Sequence, residues 1–340
     1  MMKSNILSTI LIAFTALLVC ETTLYAQATS YSEVMEEKLK TEEISLNILA
    51  QSVARFSFRD DNFRGGRTFG LGAARVGLSG TLDSRFTYMV QTELTNNPSI
   101  LDLQMGYIFS DDFRIIAGQM RPFFSADLRY DPGSTDMIDR PLLVNSLLNT
   151  REIGVAAVGE SGDMKYRFAI YNGNGRAASN SDNKFLYMLQ IGYEAEQDEG
   201  VWEFAVNAGL NTTENEAVGN TGQVSEGDRL MYGFFVDYDS DSFFGTAEFM
   251  QSKFDLALSG LEQTINSMYA TIGNKVTDKD ELLLRWERLT FDINDAERDL
   301  VTLGWNHYPA PFVQVQINLL GQFQDGEDQF GAAANFQFRF

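Results

Sequence analysis

Residues 44–176 carry thirteen arginines and one lysine against fourteen acidic residues. That bias is chemical information. A guanidinium is planar, always charged, and presents a fork of N–H donors that matches a carboxylate or a phosphate. Arg121, Arg129, Arg140 and Arg151 fall in one stretch, Gln119 to Val158. The chemistry these residues can do is anion recognition without bond-making. Catalysis has little to work with. His307 is the single histidine, so a nucleophile–His–carboxylate set has one possible base, and nothing near it resembles a nucleophile elbow. Zinc sites need several His or Cys, and this chain has one of each. Asp237, Asp239, Asp241 and Glu248 mimic calcium-loop positions, but Ser242 stands where glycine is needed. They read as a solvated turn. No enzyme activity, metal or cofactor is expected.

The elements that position these arginines follow a period of two from Ile44 onward. Ile44, Leu46, Ile48, Ala50, Ala54, Phe56 and Phe58 share one face, with Gln51 and Arg55 opposite. Similar rows recur at 74–82, 86–94, 101–109, 166–170, 185–193, 202–210, 232–238, 282–286, 301–305 and 313–319. Soluble strands average about five to six residues, and most of these runs are longer. A tilted strand crossing hydrocarbon needs about 9–11 residues. Short connections fall at 82–84, 110–112, 160–163, 195–200, 239–242, 274–280 and 309–311. Mostly longer, polar ones fall at 59–67, 122–150, 172–184, 211–228, 254–263, 291–298 and 322–328, with a tight one at 95–98. Seven turns and eight loops predict sixteen strands. The fold class is all-β, a transmembrane antiparallel barrel of about 16 strands, with apolar side chains outward and polar ones inward.

The ends agree with export. Residues 1–28 have a short basic start at Lys3, an apolar run from Ile6 to Val19 and a small-residue site at Ala26-Gln27-Ala28. They read as a cleaved signal peptide, too short for a spanning helix. Without them the chain has no cysteine, hence no disulfide framework. Residues 29–43 read as an N-terminal linker or short helix, and 44–340 as an outer-membrane barrel. The last strand ends on Phe340, which resembles the signal read by outer-membrane assembly machinery. The formal net charge of −21 argues against nucleic acid as a partner.

The connection at 122–150 is far longer than the usual two to six residues. It carries Phe123, Phe124, Leu142, Leu143, Val144, Leu147 and Leu148 as anchors. It is expected to fold inward and narrow the barrel as a constriction loop. Gly118-Gln119-Met120-Arg121-Pro122-Phe123-Phe124-Ser125 resembles the phosphate-selective porin family of the O and P type. So do Asp139-Arg140-Pro141, Arg151-Glu152-Ile153-Gly154-Val155, Tyr166 to Gly175, and Leu303 to Pro309. The similarity runs from about residue 55 to the C-terminus. It implies a homotrimer of sixteen-stranded channels, a constricting loop and a basic pore wall passing small anions such as phosphate. The acidic excess and scarcity of lysine depart from that pattern.

Strand parity places Arg55, Arg75, Arg85, Arg167 and Arg285 on the polar, lumen-facing side. Arginine facing lipid at the midplane would cost about 2–4 kcal/mol. Arg121, Arg140 and Arg151 join them through the motifs. Arg121 is in phase with Ile115 and Ala117, so it needs a bulge or a strand that has already ended. All eight are expected to line the pore and meet permeating anions. The alternative for each is a salt bridge to a carboxylate such as Glu93, Asp102, Asp139 or Glu152. A general or cation-preferring porin, a plugged structural barrel and a barrel enzyme are the rival readings.

Overall fold

The computed structural model describes residues 38–340 except 60, 96, 181, 198 and 325. The expected signal segment 1–28, and the linker up to residue 37, lie outside the described residues.

Sixteen antiparallel strands form one closed barrel. They are β1 (Ser45–Ser57), β2 (Arg67–Leu82), β3 (Phe86–Glu93), β4 (Ser99–Ser110), β5 (Phe113–Met120) and β6 (Glu152–Ser161). Then come β7 (Met164–Tyr171), β8 (Leu186–Gln197), β9 (Gly200–Ala217), β10 (Val224–Asp239) and β11 (Phe243–Leu256). The last are β12 (Glu262–Thr277), β13 (Asp280–Phe291), β14 (Glu297–Ala310), β15 (Val313–Phe323) and β16 (Gln329–Arg339). Each pairs with the next, and β1 closes on β16 from Leu49↔Arg339 to Ser57↔Gly331. Closure leaves no end of the sheet as a whole, the condition for crossing lipid with strands. Phe340 extends the seam by exchanging two backbone bonds of 2.9 Å with Ile48. Its ring is buried, and Lys40 Nζ lies 4.7 Å from the ring centroid.

Side-chain alternation builds the wall. On β10, Leu230, Tyr232 and Phe234 are exposed, while Arg229, Met231 and Phe235, of the opposite parity, are buried. The short connections match expectation. Asp83 and Ser84, both at φ 53°, form the two-residue primed turn that suits twisted hairpins. The long connection expected at 211–228 is shorter, because β9 runs to Ala217 and β10 starts at Val224. Polar side chains hold this extension together. Thr213 Oγ1 and Ser225 Oγ share a bond of 3.2 Å, and Thr212 donates to Asp228 at 2.7 Å. Polarity had read as loop where paired strands continue.

Residues 121–151 turn back against the barrel's inward face. They include two 3-10 turns, Asp127–Arg129 and Pro132–Ser134, and one short α-helix, α1 (Leu142–Leu147), entered through Pro141. Phe124, Leu128, Leu143, Val144 and Leu147 pack with inward-facing Met188, Met231, Met250, Ile265, Tyr269 and Leu289 in one buried cluster. Thus part of the inward face is apolar. It is apolar where this segment covers it. Burying each such side chain contributes about 1.5–3 kcal/mol, and polar inward residues there would have been left without water.

Candidate pore and its charged lining

The segment's polar groups take partners around much of the barrel wall. Ser125 Oγ donates to Glu248 on β11 at 2.8 Å, and Leu142 N donates to Glu287 on β13 at 2.5 Å. Asn306 of β14 and Gln316 of β15 donate to the carbonyl of Asp136, at 3.0 and 3.3 Å. Gln337 of β16 donates to the Gly133 carbonyl at 2.8 Å. Arg229 of β10 donates to the Leu147 carbonyl. The segment is therefore fastened on several sides, not hung from its two ends.

Strand parity put Arg55, Arg75, Arg167 and Arg285 on the inward face, and each lies there. Arg55 forms a two-point pair with Asp139, at 2.9 and 2.7 Å. Arg75 pairs with Glu93 at 2.9 Å. Arg285 pairs with Glu287 at 2.9 Å and donates to the Asp139 carbonyl at 2.8 Å. Arg167 donates to Gln190, with its guanidinium 5.5 Å from the Phe123 ring centroid. Arg85 departs from expectation. Its strand begins only at Phe86, so Arg85 belongs to the turn, where parity no longer governs. It is exposed and donates to Tyr107 Oη at 3.3 Å. Tyr107 shares its row with the exposed residues Leu103 and Met105.

The motif arginines behave differently from one another. Arg151 is almost fully buried against Asp102, with an ion-pair contact of 2.8 Å and a hydrogen bond of 2.9 Å. Arg140 reaches Asp127 and donates to the carbonyls of Asp127 and Tyr130, so it ties the segment to itself. Arg121 lies beyond the end of β5, 3.3 Å from Asp131. Gly118 prepares that exit. Its φ is +124°, and a Cβ there would meet the Leu103 carbonyl oxygen at 2.1 Å. The ion-pair alternative thus describes Arg55, Arg75, Arg121, Arg140, Arg151 and Arg285, and the partners of Arg55, Arg75 and Arg151 are among the carboxylates named for it.

Two further cationic side chains, Arg114 and Arg129, stand outside the eight expected to line the pore. Arg114 alternates with Ile115 and Ala117, so the same parity rule identifies it as inward-facing. Arg129 bridges Glu203 at 2.5 Å and Asp237 at 3.2 Å. That bridge removes Asp237 from the expected solvated turn. Glu248 is likewise buried on Ser125, and Asp239 pairs with Lys275 at 2.9 Å. Among the described residues no group of three or more His, Cys, Asp or Glu could hold a metal ion. His307 Nδ1 and Asp280 Oδ1 are 2.9 Å apart, and the ring stacks on Trp305.

Charge is segregated across the inner wall. A cavity of about 270 Å³ is lined by Arg114, Arg121, Arg129 and Arg167. One carboxylate, Asp102, shares that lining, and Arg151 holds it. A second cavity of about 340 Å³ is lined by Asp136, Asp237, Asp239 and Glu281, with Lys275 and Arg339. Burial, then Asp127, Asp237 and Glu281, pushes the Asp136 carboxyl up to about 7, against the opposing pull of Arg285. Burial would also raise Asp139, but Arg55, with Arg64 and Arg285, holds it below the usual range.

The barrel is similar to solved structures of bacterial porins and outer-membrane proteins. An anion-selective porin from Comamonas acidovorans is 14% identical, with a TM-score of 0.70 over 88% of this chain and 99% of that one. The trimer form of OmpT from Vibrio cholerae is 14% identical, with a TM-score of 0.62 over 87% and 99%. OmpF of Salmonella typhi, solved with daunomycin, is 12% identical, with a TM-score of 0.67 over 87% and 97%. Comparison with curated proteins gave no match. The family model for phosphate-selective porin O and P matches residues 43–335. With that match and this closed barrel, the chain belongs to the phosphate-selective porin O and P family and is an outer-membrane porin.

Proposed function

We propose that this porin passes small anions by passive diffusion, with phosphate and related oxyanions as favoured solutes, and that it performs no catalysis. Residues 121–151 act as the constriction. The observation that carries this reading is the cavity lined by four guanidinium groups, of which Arg114 and Arg167 form no ion pair among the described residues, and by one carboxylate, Asp102, that Arg151 already neutralises. An anion leaving bulk water there exchanges hydration for N–H donors, and poorly polarisable walls strengthen the attraction. The family description and the name of the Comamonas neighbour agree with it. Export by cleavage of residues 1–28, assembly through Phe340 and a homotrimer complete the reading.

The test is the reversal potential of reconstituted channels in a potassium chloride gradient, repeated with potassium phosphate. The expected result is greater permeability to anions than to potassium. A second reading, cation preference, is favoured by the acidic cavity and by 27 acidic against nine basic residues in 177–340. Equal or reversed preference would sink the anion reading and leave the barrel standing.

A further inference from the structure

The basic cavity is not a plain phosphate cradle. Half of its lining is apolar: Met89, Ile116, Met120, Pro122, Phe123 and Leu128. Its guanidinium groups also differ in what they have free. Arg129 is committed to Glu203 and Asp237, and Arg121 lies against Asp131. Arg167 has one side-chain acceptor, Gln190. Arg114 is exposed and lines this cavity and the adjoining one of about 290 Å³. A guanidinium has five N–H donors, so Arg114 and Arg167 retain donors for a ligand.

Register sets these two at one height. Arg114 pairs with Val158, and Val158 pairs with Arg167. Strands are about 4.8 Å apart, so the two backbones are about 10 Å apart. Two long side chains can converge on one anionic group across that span. Beside it, the Phe123 ring lies under Arg167, with Ile116 of β5 in the same lining. The volume, about 270 Å³, falls just under the range of about 300–1,000 Å³ typical of small-molecule pockets.

We infer that this cavity is a transit site for organic anions with an apolar body: the charged group lies between Arg114 and Arg167, and the apolar part against Phe123. This rests on the anion reading above and narrows its solute class. A bare oxyanion uses the arginines and leaves the Phe123 side wet. A carboxylate or sulfonate on a ring uses both, and excludes water from around its ion pairs.

The probe is benzoate, compared with acetate and with neutral benzyl alcohol, added to chloride-conducting channels in planar bilayers at constant ionic strength. Benzoate is expected to reduce chloride current saturably, at about tenfold lower concentration than acetate. Benzyl alcohol is expected to leave the current unchanged. Arg114→Gln with Arg167→Gln should abolish the benzoate effect. Phe123→Ala should bring benzoate to the acetate level without altering acetate. The comparison of the three probes needs no variant, so misfolding of a variant does not rescue the inference. If benzoate and acetate act alike while chloride preference persists, this site is refuted and the proposed function survives. If potassium permeates better than chloride, the proposed function falls, and the benzoate block in the same membranes still decides the site.

Discussion

Asp136 is the residue through which proton concentration should reach the pore. Its carboxyl has no side-chain partner among the described hydrogen bonds and faces Asp127, Asp237 and Glu281, with Arg285 the opposing charge. With its pKa raised to about 7, it is mostly neutral at pH 6 and mostly ionised at pH 8. The sign follows. Lowering pH through 7 removes a negative charge from the lining, so anion preference should rise. Asp136→Asn should hold the acid-side preference at both pH values. Reversal potentials at pH 6 and 8 check this, and an unchanged pH dependence in the variant would refute it. The stability effect has the same direction. A carboxyl raised above its unfolded value favours the fold at low pH, and loses that contribution as pH rises through about 7. Arg151 and Asp102 make the opposite kind of pair, closed off from solvent on both sides. Removing one partner of a buried pair costs about 3–5 kcal/mol, because the other charge is stranded. Arg151→Gln should therefore lower the unfolding temperature of the detergent-solubilised barrel, read by heat-modifiable migration. Anion preference should change less than in Arg114→Gln, since Arg151 offers the pore little free charge.

The segment 121–151 is held by two kinds of contact that act together. Its apolar side chains fill an inner face that would otherwise be wet, and its carbonyls meet Arg229, Arg285, Asn306 and Gln337 from four strands. Truncating a buried leucine costs about 2–5 kcal/mol. Leu143→Ala with Leu147→Ala should loosen the docked segment while the wall, closed by its own ladders, persists. Single-channel conductance should increase and ion preference fall. Unaltered conductance would mean that the segment does not limit the current. Much of this was legible from period and length. Alternation located the wall, and an overlong connection with arginines and leucines marked the segment. What could not be read was pairing at a distance. Arg55 meets Asp139 across 84 positions and Ser125 meets Glu248 across 123, and nothing local in the sequence selects those partners. Parity also stops at a strand's end, which is why Arg85 was misplaced. Applied evenly, it would have included Arg114. The inward Met188, Met231 and Met250 stand opposite the outward apolar rows, and alternation alone does not say that a covering segment exists.

At the scale of the molecule, the wall has one weak sector. β3, β5 and β7 have eight residues each, whereas β9 has eighteen. β3 pairs with β2 only over Arg75–Leu82, so residues 67–71 of β2 have a strand partner on the β1 side alone among the described residues. Phe69 on that stretch is 90% exposed and Leu71 68%, and Met105 on nearby β4 is 72%. Backbone donors left open near lipid are costly, and an open strand edge invites another chain. We propose that a second copy of this chain covers this sector, in a homotrimer packed through β1 to β5. Phe69→Arg with Leu71→Arg should yield monomers that still show the heat shift of an intact barrel. Phe185→Arg, on the far wall near the loop end of β8, should remain trimeric, because an arginine there meets no partner subunit. Native gel migration and light scattering in detergent measure both. Trimers that survive the paired substitution, or an unmodified protein that is monomeric, would place the covering elsewhere. Loss of trimer in both variants alike would show that added charge, not this sector, is responsible.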